Sequence, residues 1–169
     1  KQSSSTALFN TPSRSVADIS GNIYVADKLN HRIRKVYPNG MVITLAGGNT
    51  GGGSCGGVAS TTCNDGNSTN TQFNEPLDLA LSSSTQKLYV PDSKNNRIRV
   101  IDISKPMSDL LFVTTLAGTG TAGLTNGAGN VAQFNQPNGL ALDDATQILY
   151  VADMVNQRIR KIDIATTQV

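Results

Sequence analysis

A pattern that recurs three times predicts an all-β chain of four-stranded antiparallel blades, the building unit of a β-propeller. Its copies begin at Phe9, Phe73 and Phe134, which lie 64 and 61 positions apart, and a self-similar period of this length is typical of propellers and solenoids. Only 15% of the residues are charged and 38% are hydrophobic, and Ser, Thr, Asn and Gly make up the difference. Such a composition favours turn-rich β structure over helices.

Each copy divides into strands at corresponding positions. All three contain Phe-Asn-x-Pro, an apolar segment, Tyr-Val-x-Asp and Asn-x-Arg-Ile-Arg, and short apolar runs bounded by turn residues predict strands. First strands are expected at 15–18, 79–82 and 140–143, second strands at 23–27, 88–92 and 149–153, third strands at 32–36, 97–101 and 158–162, and fourth strands at 42–46 and 113–117.

These strands predict three blades joined by polar linkers. We expect blades at about 9–47, about 73–118 and about 134–169, the last without its outer strand, and an inserted cysteine-containing loop at 48–72. Together they form one propeller segment, 1–169. Three blades do not close a ring, and the chain begins with Lys1 rather than Met. We therefore expect a processed product or a segment completed by further blades of the same chain or of other copies.

Charge and hydropathy argue against two classes of partner. The formal net charge of +2 at pH 7 gives no electrostatic basis for binding nucleic acid or an anionic membrane surface. No apolar run approaches the ~20 residues of a membrane-spanning helix. The sequence therefore predicts neither nucleic-acid binding nor membrane insertion.

The pattern FNxPxGLALD…LYVADxxNxRIRKI…TLAG resembles the NHL repeat, whose copies build β-propellers, and the match covers nearly the whole chain. Residues 30–35 (NHRIRK) are close to the family's core motif, whereas Arg14 and Asp78 stand where Gly139 keeps the usual glycine. The resemblance implies a ring of six blades. Some members of the family that the chain resembles are lyases, and these and related hydrolases hold a metal in the central channel with clusters of histidine and carboxylate side chains. Other members bind RNA through a basic face.

An aspartate and an arginine recur five positions apart in every copy. The pairs are Asp27 with Arg32, Asp92 with Arg97, and Asp153 with Arg158. They form either a charged ring around a channel or, in the interpretation that we favour, turn caps bonded to the following Asn and Arg. A catalytic group is needed once, whereas a group that defines the fold is needed in every copy.

The second arginines of the motif, Arg34, Arg99 and Arg160, are expected on solvated strand edges, where basic side chains discourage edge pairing. The recurring aromatic residues are instead expected to pack between blades. These are Phe9, Phe73, Phe134, Tyr24, Tyr89 and Tyr150.

Catalytic machinery is not apparent in the sequence. His31 is the single histidine, and Asn96 and Gln157 replace it in the other copies, so we expect an exposed, interchangeable polar residue rather than a metal ligand. The sequence has no nucleophile elbow and no Cys/His pairing at a useful spacing. We therefore predict no catalytic residue, no metal site, no cofactor and no enzymatic activity.

The loop at 48–72 contains the features that do not repeat. Cys55 and Cys63 are predicted to form a disulfide, and Asn67 begins an Asn-Ser-Thr glycosylation acceptor. Both features favour an extracellular or cell-surface location.

The sequence predicts a non-catalytic extracellular scaffold or a module that binds a protein or glycan. One version of this hypothesis is that copies of the chain assemble into a closed ring or a filament. Two alternatives remain open. One is a fragment of a propeller lyase or hydrolase whose metal ligands lie outside this segment, and the other is an RNA-binding propeller.

Overall fold

The computed structural model describes residues 7–47, 65–67, 71–105 and 112–169. Within these ranges the chain forms three antiparallel sheets, one from each copy of the repeat. The fold class predicted from the sequence is confirmed: the chain is all-β and consists of propeller-type blades. In the part of the chain that the structure describes, no helix is long and apolar enough to cross a membrane.

The first sheet is a four-stranded blade in which sequence neighbours pair. Its strands are β1 (Pro12–Ala17), β2 (Ile23–Asp27), β3 (Arg32–Val36) and β4 (Val42–Ala46). The β2–β3 hairpin places Asp27 opposite Arg32, and the β3–β4 pairing places Arg34 opposite Thr44. Successive side chains of a strand point to opposite faces of the sheet, so the two faces carry different sets of side chains.

The second sheet has five strands in the order β5-β9-β8-β7-β6. They are β5 (Gly66–Asn67), β6 (Ala80–Ser82), β7 (Lys87–Asp92), β8 (Arg97–Asp102) and β9 (Phe112–Ala117). The two-residue β5 lies within the segment predicted to be an inserted loop, and it pairs antiparallel with the outer edge of β9. The linker before the second blade therefore contributes an extra edge strand.

The third sheet has three strands among the described residues. They are β10 (Pro137–Asp143), β11 (Ile148–Asp153) and β12 (Arg158–Asp163). After β12 the chain turns, and the Asp163 backbone N–H donates to the Gln168 carbonyl at 2.9 Å. The equivalent bond in the first blade joins the Tyr37 N–H to the Met41 carbonyl, immediately before β4.

Tight turns connect the second and third strands of the first two blades. A single 3₁₀ turn, Lys28–Asn30 or Ser93–Asn95, is followed by a residue in the left-handed region, His31 at φ 55° or Asn96 at φ 53°. Asn is among the residues that tolerate this region best. The turn brings the aspartate that ends one strand opposite the arginine that begins the next.

The hydrophobic core lies between blades. We call the face toward the following blade the trailing face, and the face toward the preceding blade the leading face. Tyr24 and Ile33 on the trailing face of the first blade pack in one cluster with Phe73 and Leu88 on the leading face of the second. A second cluster joins the second and third blades in the same way. Each blade is thus stabilised mainly by its neighbours.

Candidate functional site

A buried aspartate organises the polar interior of each blade. Asp92 ends β7 and accepts hydrogen bonds from the Asn74 backbone N–H at 2.7 Å, the Asn95 amide at 2.9 Å and the Arg99 guanidinium at 3.3 Å. Burial raises the pKa of the Asp92 carboxyl, whereas the Arg99 charge and the donated hydrogen bonds lower it. We call this set of one aspartate, two asparagines and the second arginine the blade clamp.

The whole blade clamp recurs around Asp153, and its two asparagine bonds recur around Asp27. Asp153 accepts from the Asn135 N–H at 2.7 Å, the Asn156 amide at 2.7 Å and Arg160 at 3.1 Å. Asp27 accepts from the corresponding groups, the Asn10 N–H and the Asn30 amide, at 2.8 and 2.9 Å. The ion pairs of Asp92 and Asp153 go to the second arginine of the motif. Its first arginine lies opposite the aspartate in the strand register, as Arg32, Arg97 and Arg158 do.

The exposed position predicted for the second arginines is wrong. Arg34, Arg99 and Arg160 are all buried, with Arg99 at 0% exposure. Each guanidinium lies over the phenylalanine that begins its blade, with its carbon 5.1–5.9 Å from the ring centre, a cation–π geometry. Arg99 and Arg160 are buried because the linker that precedes their blade covers the leading face on which they lie.

The second arginine also holds the linker that enters its blade. Arg99 forms an ion pair with Asp65 at 3.1 Å, and the Thr115 hydroxyl, opposite Arg99 in β9, donates to the same Asp65 oxygen at 2.9 Å. Arg160 donates to the Thr125 carbonyl at 3.1 Å and to the Asn126 side-chain oxygen. Asp65 and Asn126 both stand eight positions before the blade's phenylalanine and directly before a glycine, a signal that the sequence contains.

A second set of contacts connects neighbouring blades at the turn between the second and third strands. His31 Nδ1 accepts the backbone N–H of Glu75 at 3.1 Å, and the Asn96 side-chain oxygen accepts that of Gln136 at 2.9 Å. Lys28 reinforces the first contact through an ion pair with Glu75 at 3.5 Å. The expectation that His31 is exposed is therefore wrong: it is half-buried and serves as a hydrogen-bond acceptor between blades.

The innermost strands are connected through the two positions that depart from the usual glycine. Arg14 forms an ion pair with Asp78 at 3.3 Å, and the other Asp78 oxygen accepts the Leu140 N–H of the third blade at 2.8 Å. Gly139 lies beside this carboxylate, and a Cβ there would be 3.9 Å from it. One carboxylate thus joins three consecutive blades.

At the opposite end of the blades, Asp144 connects the third blade to the second. It accepts hydrogen bonds from the hydroxyls of Ser82 at 2.5 Å and Ser84 at 2.9 Å, and from the Ser84 N–H at 3.1 Å. These bonds, that of Ser82 first, lower the pKa of the Asp144 carboxyl to about 2. The bonds favour the ionised form, and they exist only while the two blades are in contact.

The two outermost blade faces lack the neighbour that covers the interior ones. Ile159 is 70% exposed, whereas its equivalents Ile33 and Ile98 are fully buried. Tyr150 on the same trailing face is also exposed. At the other end, Phe9 and Ile23 line a cavity of about 440 Å³ on the leading face of the first blade. The inter-blade packing that the sequence predicts for the recurring aromatic residues is thus complete only at interior positions.

The remaining predicted sites involve the first linker. Cys55 and Cys63 lie outside the described residues, and Asn67 lies in β5, where it pairs with Phe112. Among the described residues no group of three or more His, Cys, Asp or Glu side chains could hold a metal ion. The blade clamps, the inter-blade connections and the open faces are therefore the candidate functional features.

Comparison with known proteins agrees with this architecture. No protein-family model matches the chain. It is 36% identical over 106 residues to human NHL repeat-containing protein 2, an alignment that covers 62% of this chain and 14% of that protein. The chain thus spans about one seventh of that relative's length. The related protein of Bos taurus is 37% identical over the same number of residues.

Solved structures show the same fold. A structural genomics protein of unknown function from Bacteroides thetaiotaomicron superimposes with a TM-score of 0.71 at 22% identity, covering 95% of this chain and 38% of that one. An auxiliary nutrient binding protein from Bacteroides ovatus superimposes with a TM-score of 0.68 at 23% identity, covering 87% and 36%.

The predicted extracellular or cell-surface location is contradicted, because the curated relatives are forms of an intracellular protein. The cysteine pair and the glycosylation acceptor were too weak a basis for it, since both patterns also arise by chance in a polar linker. The repeat motif, the blade geometry and the relatives agree with one another. The resemblance to NHL-repeat β-propellers predicted from the sequence is confirmed by these relatives and by the fold.

Proposed function

We propose that the chain is a non-catalytic propeller segment that serves as a scaffold or protein-interaction module and binds through the open faces of its first and third blades. The exposure of Ile159 carries the proposal. The same residue type at the same position is fully buried in both preceding blades, and an apolar surface that is covered elsewhere in the same fold is typical of an interaction site.

The open faces resemble the two halves of an interface that the chain already contains. The open trailing face of the third blade, with Tyr150 and Ile159, corresponds to the trailing face of the first blade, which packs against the second blade. The open leading face of the first blade, with Phe9 and Ile23, corresponds to the leading face of the second blade. Blades of the same kind, from the same chain or from other copies, therefore fit these faces. Closure produces a ring, and association without closure produces a filament.

The polar interior supports a structural role rather than a catalytic one. Asp92 and Asp153 are fully buried and accept bonds from an asparagine N–H, an asparagine amide and an arginine. Carboxylates saturated in this way stabilise a fold and have no free lone pair directed at a substrate. We also propose that residues 1–169 act as one unit, with blades at about 9–47, 73–118 and 134–169.

Sedimentation velocity over a range of concentrations tests the proposal. We expect the chain to form assemblies of two or more copies and an Ile159→Asp variant to lose them, because a charge on the open face cannot be buried without a partner. Ile19→Asp is the control for a charge placed on an exposed isoleucine, since Ile19 lies in the turn between β1 and β2 and not in a strand of either face. A chain that stays monomeric at every concentration, or an Ile159→Asp variant that associates like the parent, would contradict the proposal.

A further inference from the structure

Three asparagines of the chain are followed directly by a glycine. They are Asn39, Asn126 and Asn138. Because glycine has no Cβ beside its backbone nitrogen, that nitrogen can closely approach the side-chain Cγ of the preceding asparagine. The contacts of the three pairs differ, and these contacts determine which asparagine is free to react with its own backbone.

Asn39 is exposed and lies in the turn between β3 and β4. The Gly40 N–H donates to the Tyr37 carbonyl at 2.8 Å, and Pro38 occupies the position at which its fixed φ suits such a turn. The Met41 N–H donates to the side-chain Oδ1 of Asn39 at 3.0 Å. This bond spans the Gly40 peptide unit, so it brings the Asn39 Cγ beside the Gly40 nitrogen.

We propose that Asn39 is a site of spontaneous deamidation in which water is the co-reactant. The Gly40 nitrogen loses its proton to solvent and bonds to the Asn39 Cγ, the Cγ–Nδ2 bond breaks, and Nδ2 leaves as ammonia. Water then opens the five-membered imide at either of its two carbonyl carbons, which yields aspartate or isoaspartate. The Met41 N–H already donates to the oxygen on which negative charge develops, and a donor in this position stabilises the tetrahedral adduct.

The bond from the Gly40 N–H to the Tyr37 carbonyl is the restraint that the reaction must overcome. It closes a single turn at the tip of a hairpin. Local opening of such a turn requires far less free energy than unfolding of the blade. The reaction at Asn39 therefore proceeds from the folded chain.

The other two asparagines are restrained by contacts of the third blade. The Asn126 side-chain oxygen accepts a bond from the buried Arg160 guanidinium, and Gly127 exchanges two backbone bonds with Val169. Asn138 lies within β10, and its neighbours on both sides pair with β11. Cyclisation at either position requires these contacts to break first, so the fold protects both residues.

Deamidation at Asn39 changes both the charge and the backbone of the turn. A neutral amide becomes a carboxylate, which lowers the formal net charge of +2 by one. Isoaspartate also inserts an extra carbon into the main chain between two paired strands, where the pairing register depends on the length of the turn. This inference goes beyond the proposed binding role and does not depend on it.

Peptide mapping of the full chain by mass spectrometry, after ageing at mildly alkaline pH, tests the proposal. Reaction adds about 1 Da to the peptide concerned. We expect Asn39 to react about tenfold or more faster than Asn126 and Asn138 in the folded chain. In urea the protecting contacts are lost, and the three rates should agree within about threefold. Equal rates in the folded chain, or an equally large difference in urea, would overturn the inference.

Two variants separate the chemistry from the turn. Gly40 has a φ of 81°, a region that asparagine tolerates. Gly40→Asn should therefore keep the melting temperature of the parent, whereas its Cβ hinders the backbone nitrogen and should slow the reaction at Asn39 about tenfold or more. Asn39→Ser has no amide to lose and should show no mass gain in this peptide. A Gly40→Asn variant that reacts as fast as the parent would contradict attack by the backbone nitrogen.

Discussion

At the residue scale, Arg99 binds two carboxylates of very different exposure. Asp92 is fully buried, whereas the Asp65 side chain is 49% exposed. Asp92→Ala leaves the buried guanidinium of Arg99 with only the half-exposed Asp65 as a counter-charge and removes the acceptor of Asn74 and Asn95, so we expect a loss of about 3–5 kcal/mol in the free energy of unfolding. Asp65→Ala should cost no more than about 1 kcal/mol.

Urea denaturation followed by circular dichroism measures both losses. Because the two variants remove partners of the same guanidinium, they form a matched pair that differs mainly in burial. Equal losses for the two variants would show that burial of Asp92 does not determine its contribution.

His31 allows the inter-blade hydrogen bond to be separated from backbone conformation. His31→Asn keeps a side-chain acceptor and the left-handed backbone, as Asn96 does in the next blade, and we expect stability to change by less than about 0.5 kcal/mol. His31→Gly tolerates the same backbone but lacks the acceptor, which leaves the Glu75 N–H unpaired and costs about 1 kcal/mol or more. Thermal unfolding of both variants checks this, and a stable glycine variant would show that the bond contributes nothing.

The second arginines show where inference from single residues fails. The Arg-Ile-Arg alternation correctly predicts two faces, but the prediction that the face with two arginines meets solvent is wrong. A propeller blade buries both of its faces, and the leading face accepts arginine because a phenylalanine ring, an aspartate and a linker oxygen satisfy it. Those partners are distant in sequence, so local patterning does not reveal them.

At the scale of the element, Gly118 closes the fourth strand of the second blade with a conformation that other residues rarely adopt. Its φ is +108°, and a Cβ would lie 2.6 Å from the Asn96 carbonyl oxygen. Gly118→Ala should therefore cost more than about 2 kcal/mol, since both backbone strain and a clash oppose it.

Gly139→Ala is the control for this substitution. Gly139 lies within β10 without a positive φ, and the nearest atom to its Cβ, in Ala152, would be 3.4 Å away. We expect a change within about 0.5 kcal/mol. Equal losses for both alanine variants in thermal denaturation would contradict the assignment of strain to Gly118 alone.

The turn between β10 and β11 makes the contact of the last two blades dependent on pH. The pKa of Asp144 falls from an ordinary 3.8 to about 2 in the folded chain. A depressed pKa means that ionised Asp144 stabilises the fold above pH 3.8 and that this contribution is lost as the pH falls toward about 2. The stability difference between the parent and Asp144→Asn should therefore shrink between pH 6 and pH 2 in denaturation experiments; a constant difference would rule out this linkage.

The strand pattern was largely predictable because each strand is encoded locally. The exception is β5, whose two residues form a strand only because the outer edge of β9 is available. Such a strand has no apolar alternation of its own. Its signal is the recurring Asp-Gly or Asn-Gly eight positions before the phenylalanine, which becomes meaningful once the arginine contact is known.

At the scale of the whole molecule, the same substitution should affect stability strongly at one position and hardly at all at the equivalent position of another blade. Ile98→Asp buries a charge in the core between the second and third blades and should cost more than about 4 kcal/mol, which we expect to unfold much of the chain. Ile159→Asp on the open face should leave the unfolding of the dilute chain nearly unchanged. Thermal unfolding at low protein concentration distinguishes the two, and a strongly destabilised Ile159→Asp variant would mean that this face is already covered.

The repeat predicted the architecture, but the function had to be inferred from differences among the copies. The equivalent positions 33, 98 and 159 all carry isoleucine, so sequence alone does not show which one is exposed. Exposure depends on whether a blade has a neighbour. The open faces are thus a property of the arrangement of blades rather than of any single motif.

The connection between blades through His31 and Asn96 has an evolutionary consequence. Each accepts a bond from a backbone N–H of the next blade, at Glu75 or Gln136, and every residue type except proline supplies that donor. A duplicated or exchanged repeat therefore arrives with the donor already in place and needs no compensating substitution. This feature allows such an array to be lengthened, shortened or recombined one unit at a time without loss of the bond between blades.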